Sequence, residues 1–125
     1  AFALGAEGVF CGTLFLSAVE ARTSQNVKEM MLKANATDID FFRTTPYYYR
    51  SIPTPLSQRL VKMDNELKTR EEISNEMHPM RNMKFGMLDG QVDVGYVSVG
   101  LGISMIHSIR PCKEIIDDIT QDYKP

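Results

Sequence analysis

Tryptophan is missing from this sequence, cysteine occurs only twice, and neither a long apolar run nor a basic block interrupts it. Each scarcity removes a class of protein. The two thiols, Cys11 and Cys112, stand far apart and match no metal-ligand spacing, so they exclude a disulfide framework and read as reduced cysteines. The 14 Lys and Arg are mixed with 16 Asp and Glu to a net charge of −2, which leaves no cationic stretch able to neutralise successive phosphates of a nucleic acid. Nothing approaches the roughly 18 consecutive apolar residues of a membrane span, and no signal-peptide pattern opens the chain. The expectation is a cytoplasmic protein with neither nucleic acid nor membrane as partner. The 125 residues are 43% hydrophobic and 24% charged, enough for one ordinary domain with a modest core.

The chain opens on Ala1-Phe2-Ala3-Leu4-Gly5, which has the form of a last helical turn closed by glycine. Because no helix start precedes it and the first residue is not Met, the chain is expected to begin inside a larger fold. The apolar run from Ala6 to Thr13 predicts a short buried strand that delivers Gly12 and Thr13 at its end. Val27, Met30, Met31 and Ala34 share one helical face and predict a helix over 24–34. Residues 35–55, with Pro46, Pro53 and Pro55, read as a connecting loop or short extended region. Thr54 and Pro55 then cap and start a helix in which Leu56, Leu60, Met63 and Leu67 align, running to about Leu67. Thr69 and Glu72 form a capping box for a helix towards Met77, with Pro79 as its stop. Met80, Met83, Met87 and Leu88 sit on one face of a further helical stretch before Asp89-Gly90 breaks it. Small residues interleave with apolar ones from Gly95 to Ile106, which suits a close-packed turn where backbone approaches a ligand. After Pro111 a last amphipathic helix is expected to turn Ile115, Ile116 and Ile119 inward and Asp117 and Asp118 to water.

Few residues carry chemistry. A glycine at a strand end leaves backbone N–H groups open to a phosphate, and a neighbouring hydroxyl adds a donor, so Gly12-Thr13 is the strongest element. The pair alone fits a ligand-free tight turn better than a phosphate site. His78 and His107 lack a Cys, Asp or second His at relay spacing and read as surface or structural residues. The Tyr47-Tyr48-Tyr49-Arg50 run offers stacking surface, or packing. Met77, Met80, Met83 and Met87 are candidates for an adaptable apolar pocket, or for an irregular helical core.

The block from Ala3 to Leu16, Ala-Leu-Gly-Ala-Glu-Gly-Val-Phe-Cys-Gly-Thr-Leu-Phe-Leu, resembles the helix-seven to strand-eight signature of the nitronate monooxygenase and flavin-dependent enoyl-ACP reductase family. That signature ends in Gly-Thr-Arg-Phe. A second block, Gly90 to Leu101, is similar to the family's C-terminal segment, which runs Gly-Asp-x-Asp-x-Gly and then an apolar stretch to Gly-Gln. Two sequence departures stand out: Leu14 replaces the arginine and Leu101 the glutamine.

The resemblance implies an α/β fold, the C-terminal portion of a (β/α)8 TIM barrel comprising its last β/α unit and a mainly helical substrate-covering segment. On that division residues 1–34 end barrel helix seven and add strand eight with the helix after it. Residues 35–110 form the lid region, and 111–125 the C-terminal helix. The implied function is FMN-dependent oxidation of alkyl nitronates with O2; an NAD(P)H-dependent flavin enoyl-ACP reductase and a non-catalytic assembly fragment are the alternatives. Gly12 and Thr13, with Cys11 beside them, would hold the FMN phosphate, and Ser98 is a further polar contact. The family's catalytic histidine and its other phosphate loop fall before Ala1, so no residue here is assigned as catalytic. The implied partners are the preceding part of the barrel and a small nitronate or enoyl thioester, with a homodimer left open.

Overall fold

The computed structural model describes residues 1–121. Phe2–Leu4 forms a single 3-10 turn closed by Gly5 at φ 87°, a left-handed conformation that only glycine adopts without a Cβ penalty. The following segment corrects the sequence reading. Residues 6–11 join no ladder, and Phe10 is 99% exposed. A strand buried on both faces needs neighbours to take its amides and carbonyls, and among the described residues none lies beside this one. The strand of the expected last β/α unit is therefore an irregular segment running into a short helix, α1 (Thr13–Leu16), ahead of the helix expected over 24–34.

Helix α2 (Gln25–Lys33) follows where the 3.6-residue periodicity placed it, with Val27 and Met31 fully buried. Of the two readings of residues 35–55, a loop or a short extended region, the structure has the second, in the form of a hairpin. Strands β1 (Asp40–Arg43) and β2 (Tyr48–Ile52) pair antiparallel with Phe42 opposite Tyr49, and β3 (Val97–Ser98) adds to the far edge of β2. Period-two alternation explains the pairing: Phe42 points into the core while Phe41 and Tyr48 stack outside at 5.0 Å. The prolines lie outside the strands, with Pro46 in the turn after a cis peptide bond, so they break no ladder hydrogen bond.

Helix α3 (Pro55–Asn65) begins as expected, Thr54 accepting from Ser57 N and Pro55 in the first turn. Helix α4 (Arg70–Met77) starts on the Thr69–Glu72 capping box. Thr69→Ala should lower stability by about 1 kcal/mol, read as a lower denaturation midpoint at unchanged m-value. Pro79 does not stop α4; His78 does, in a left-handed conformation at φ 42°, and Pro79 opens α5 (Pro79–Met83). The chain then widens into a single π-helical turn over Lys84–Leu88.

Two cores result. One gathers Val27, Met31, Ile52, Met87, Val97, Val99, Ile103 and Ile106 around α2 and β3. The other gathers Phe42, Leu56, Leu60, Ile73, Met77 and Tyr96 between the hairpin and helices α3 and α4. Tyr96, in the second core, is followed directly by Val97 in the first, and its hydroxyl donates to the Pro79 carbonyl at 2.7 Å. Burial pushes its phenol well above the ordinary tyrosine range.

The small residues near Gly95 serve backbone rather than ligand. A Cβ on Gly95 would fall 2.2 Å from Gly86 N, and one on Gly86 would fall 2.2 Å from Tyr96 O. The π-turn and the strand leading into β3 are thus in direct main-chain contact. At the end of the described residues, α6 (Cys112–Thr120) buries Ile115 alone; Ile116 and Ile119 stay 48% and 38% exposed. Of the expected three-isoleucine stripe, only Ile115 is thus fully inward. Residues 122–125 of the expected C-terminal helix lie outside the described residues. No described helix is long and apolar enough to cross a membrane.

Candidate functional site

The two sequence blocks that are far apart in the chain meet in space through one hydrogen bond. Gly100 N donates to Thr13 Oγ1 at 2.7 Å. Thr13 uses its oxygen as acceptor and keeps its own O–H free to donate. Around this link lies a cavity of about 450 Å³, lined by Cys11, Gly12, Thr13 and Leu14 on one side, by Gly102 and Met105 on another, and closed by Arg110 and Asp118.

The donor chemistry follows from the local fold. Gly12, Thr13 and Leu14 stand at the first turn of α1, where amides have no carbonyl four residues back inside the helix. None of these three amides donates to another described residue. A Cβ on Gly12 would meet no atom within 4 Å, so the space over these amides is open. The residues that carry these three N–H groups, the hydroxyl and a guanidinium thus line one cavity.

Three polar contacts that the sequence gave no reason to single out hold this corner. Lys28, 5% exposed on α2, donates through Nζ to Ala18 O at 2.5 Å and to Val19 O at 3.2 Å. Val19 N donates to Arg110 O at 3.0 Å. Glu20 accepts from Cys112 N through both oxygens, at 2.9 and 3.1 Å, and so caps α6. A buried lysine beside apolar helix positions was the one available signal, and its carbonyl partners are invisible in sequence.

The Cys112 amide, first among the causes, holds the Glu20 carboxyl below its ordinary range, while desolvation and the nearby Glu20 raise the Cys112 thiol. A carboxyl whose folded pKa is depressed stabilises the fold above its unfolded pKa, and that contribution disappears as pH falls through the folded value. Glu20→Gln should therefore melt below wild type at neutral pH, with the gap closing on acidification below the ordinary carboxylate range. A gap constant with pH, in melting curves taken across that range, would count against the cap.

The other expected site residues are distributed as follows. Cys11, Gly12 and Thr13 line the cavity together, whereas Ser98 sits in β3 opposite Ser51 and does not line it. His78 and His107 are exposed and away from it. Tyr48 and Tyr49 go to opposite faces of the hairpin, Tyr49 packing edge-on against Tyr96 at 5.9 Å. Met80, Met83 and Met87 line a second, apolar cavity of about 420 Å³ with Leu16 and Leu88, while Met77 is in the core. Both cysteines are free and half-buried. Among the described residues no group of His, Cys, Asp or Glu is placed to hold a metal.

The fold recurs in solved structures. FabK from Thermotoga maritima matches with a TM-score of 0.81 and 29% identity, over 96% of this chain and 38% of that one. A methionine-to-alanine mutant of the same FabK matches with a TM-score of 0.73 and 30% identity, over 97% of this chain and 35% of that one. The chain thus spans little more than a third of the length of these relatives. Its α/β fold is that of part of a (β/α)8-barrel protein. The nitronate monooxygenase family model matches residues 1–122, and the chain belongs to that family. No curated protein matches it.

Proposed function

We propose that this chain is the flavin-phosphate-binding and substrate-covering part of an FMN-dependent oxidoreductase, and that the full-length protein oxidises alkyl nitronates with O2. The observation that carries the reading is that Gly12, Thr13 and Leu14, whose amides donate to no other described residue, line one cavity together with the Thr13 hydroxyl, in a chain of this family. Those donors suit a phosphate, which is bound best by amides at a helix start and by charge-assisted partners. A barrel places phosphate at the loops after its last two strands, which is where the family resemblance sets Gly12.

FMN, when bound, supplies the two-electron chemistry. The chain's own residues bind and orient. Gly12 leaves room over the amides, Thr13 joins the phosphate side to the Gly100 backbone, and Leu14 and Met105 give the cavity apolar wall that excludes water. Cys11 lines the same wall as a half-buried thiol. Ser98, away from the cavity, remains at most a contact made outside it. The base that acts on substrate, a histidine by family resemblance, is not among these residues, and neither His78 nor His107 is placed to take that role.

An NAD(P)H-dependent enoyl reductase is the second reading, favoured by the FabK structures. The Met80–Met83–Met87 cavity is compatible with an apolar substrate in either case. The partners proposed are the rest of the barrel and a small nitronate or enoyl thioester, in a cytoplasmic protein. The discriminating experiment uses purified full-length protein. O2 uptake with an alkyl nitronate and no reductant supports the monooxygenase; NAD(P)H oxidation dependent on an enoyl thioester supports the reductase. Neither activity in flavin-loaded protein would leave the non-catalytic assembly fragment.

A further inference from the structure

We infer that Arg110 supplies the cationic partner of the phosphate bound at Gly12 and Thr13, with Asp118 as the exchangeable carboxylate that it pairs with in the cavity. The inference rests on the flavin reading above and adds a residue from the other end of the chain. The family pattern has arginine directly after Gly-Thr; this chain has Leu14, so that position brings no charge. Among the described residues lining the cavity, Arg110 is the single cation and Asp118 the single anion.

The sign of the cavity depends on this pair. Without Arg110, the amides at Gly12 and Thr13 would share their cavity with a lone carboxylate, which repels a phosphate. With it, the wall is neutral and holds a planar fork of donors suited to two phosphate oxygens. Arg110 is also positioned rather than loose. Its carbonyl accepts from Val19 N at 3.0 Å, which ties it to the loop after α1. Its Nη2 donates to Asp118 Oδ2 at 3.0 Å, and that contact occupies one of five N–H donors. The Asp118 side chain is 51% exposed, so the ion pair is of the weakly stabilising surface kind, and yielding part of it to a phosphate costs little.

A purely structural ion pair would hold α6 and touch no ligand. Titrating the apo form of the full-length protein with FMN and with riboflavin, which lacks the phosphate, separates the two roles through flavin fluorescence. Arg110→Ala should weaken FMN binding on the order of tenfold or more and leave riboflavin binding unchanged, which also shows that the variant is folded. Arg110→Lys should recover part of the loss, because a point charge replaces the fork. Asp118→Asn should bind FMN as tightly as wild type or tighter. The inference is overturned if Arg110→Ala leaves FMN binding intact, if it weakens both flavins alike, or if Asp118→Asn weakens FMN as much as Arg110→Ala. Wild type that binds neither flavin overturns it together with the flavin reading; wild type that binds FMN while Arg110→Ala binds it equally overturns Arg110 alone.

Discussion

Gly95→Ala should be the most destabilising conservative change in this chain, lowering stability by about 3 kcal/mol or more in the full-length protein. Neither Gly95 nor Gly86 has a left-handed φ, so backbone strain is not the reason. The reason is contact. The added methyl would lie 2.2 Å from Gly86 N and 2.6 Å from Asn82 O, and main chain, unlike a side chain, has no rotamer to move to. Gly95 O also accepts from the Thr54 hydroxyl at 3.0 Å, and Tyr96 N donates to Asn82 O at 3.3 Å. Shifting the Gly95 backbone therefore disturbs the α3 cap and the buried Tyr96 together. Against a total of about 5–15 kcal/mol for a typical domain, such a loss is large. Gly86→Ala acts on the same contact, so the double variant should cost less than the two single losses combined. Denaturant melts decide it; a Gly95→Ala midpoint equal to wild type would show that the π-turn and β3 are not held at this separation.

Thr13→Val should have the largest effect on the candidate site. Valine keeps the shape and removes the oxygen, which leaves the part-buried Gly100 amide without its 2.7 Å acceptor. An orphaned buried donor costs about 1–3 kcal/mol. The hydroxyl donor to the phosphate is lost in the same step. FMN affinity is expected to fall on the order of tenfold or more, while Thr13→Ser, which keeps both functions of the oxygen, should stay near wild type. Flavin titration of the two variants side by side checks this. Equal affinity for Thr13→Val and wild type would mean that the link between α1 and Gly100 has no part in binding.

The sequence made helices legible and sheet structure less so, for physical reasons that particular residues show. Thr54, Pro55, Thr69 and Glu72 announce helix starts because capping is local chemistry, satisfied within four residues. The face of α2 is legible because Val27 and Met31 recur at the helical period. The hairpin is only partly legible, because Pro46, Pro53 and Pro55 mark turns and mask the short alternation of Phe41, Phe42, Tyr48 and Tyr49. The run over 6–11 was read as strand from its apolar content, but a strand is made by its neighbours, and those are not within the described residues. The end of α4 is legible to within a residue, since Pro79 marks it, while the left-handed turn at His78 that makes the stop leaves no signal in the sequence.

The site divides in the same way. Gly12 and Thr13 stood out because a glycine–hydroxyl pair after an apolar run has phosphate-binding chemistry, and Cys11 came with them by adjacency. Their meeting with Gly100 and Gly102 is a product of the fold, with no signal in the sequence. Ser98 was chosen for its hydroxyl, yet strand β3 directs that part of the chain into the sheet. Arg110, Lys28 and Glu20 carried no motif, because their partners are backbone groups or a carboxylate reached only through the fold.

The central claim is that the cavity beside Gly12 and Thr13 holds a flavin phosphate. The most direct test is equilibrium binding of FMN to purified full-length protein stripped of any bound flavin, followed by the fluorescence and visible spectrum of the flavin. Saturable binding at one site per chain, much tighter for FMN than for riboflavin and weakened by Thr13→Val, is the predicted result. A folded protein that fails to bind FMN, or binds riboflavin equally well, would contradict it.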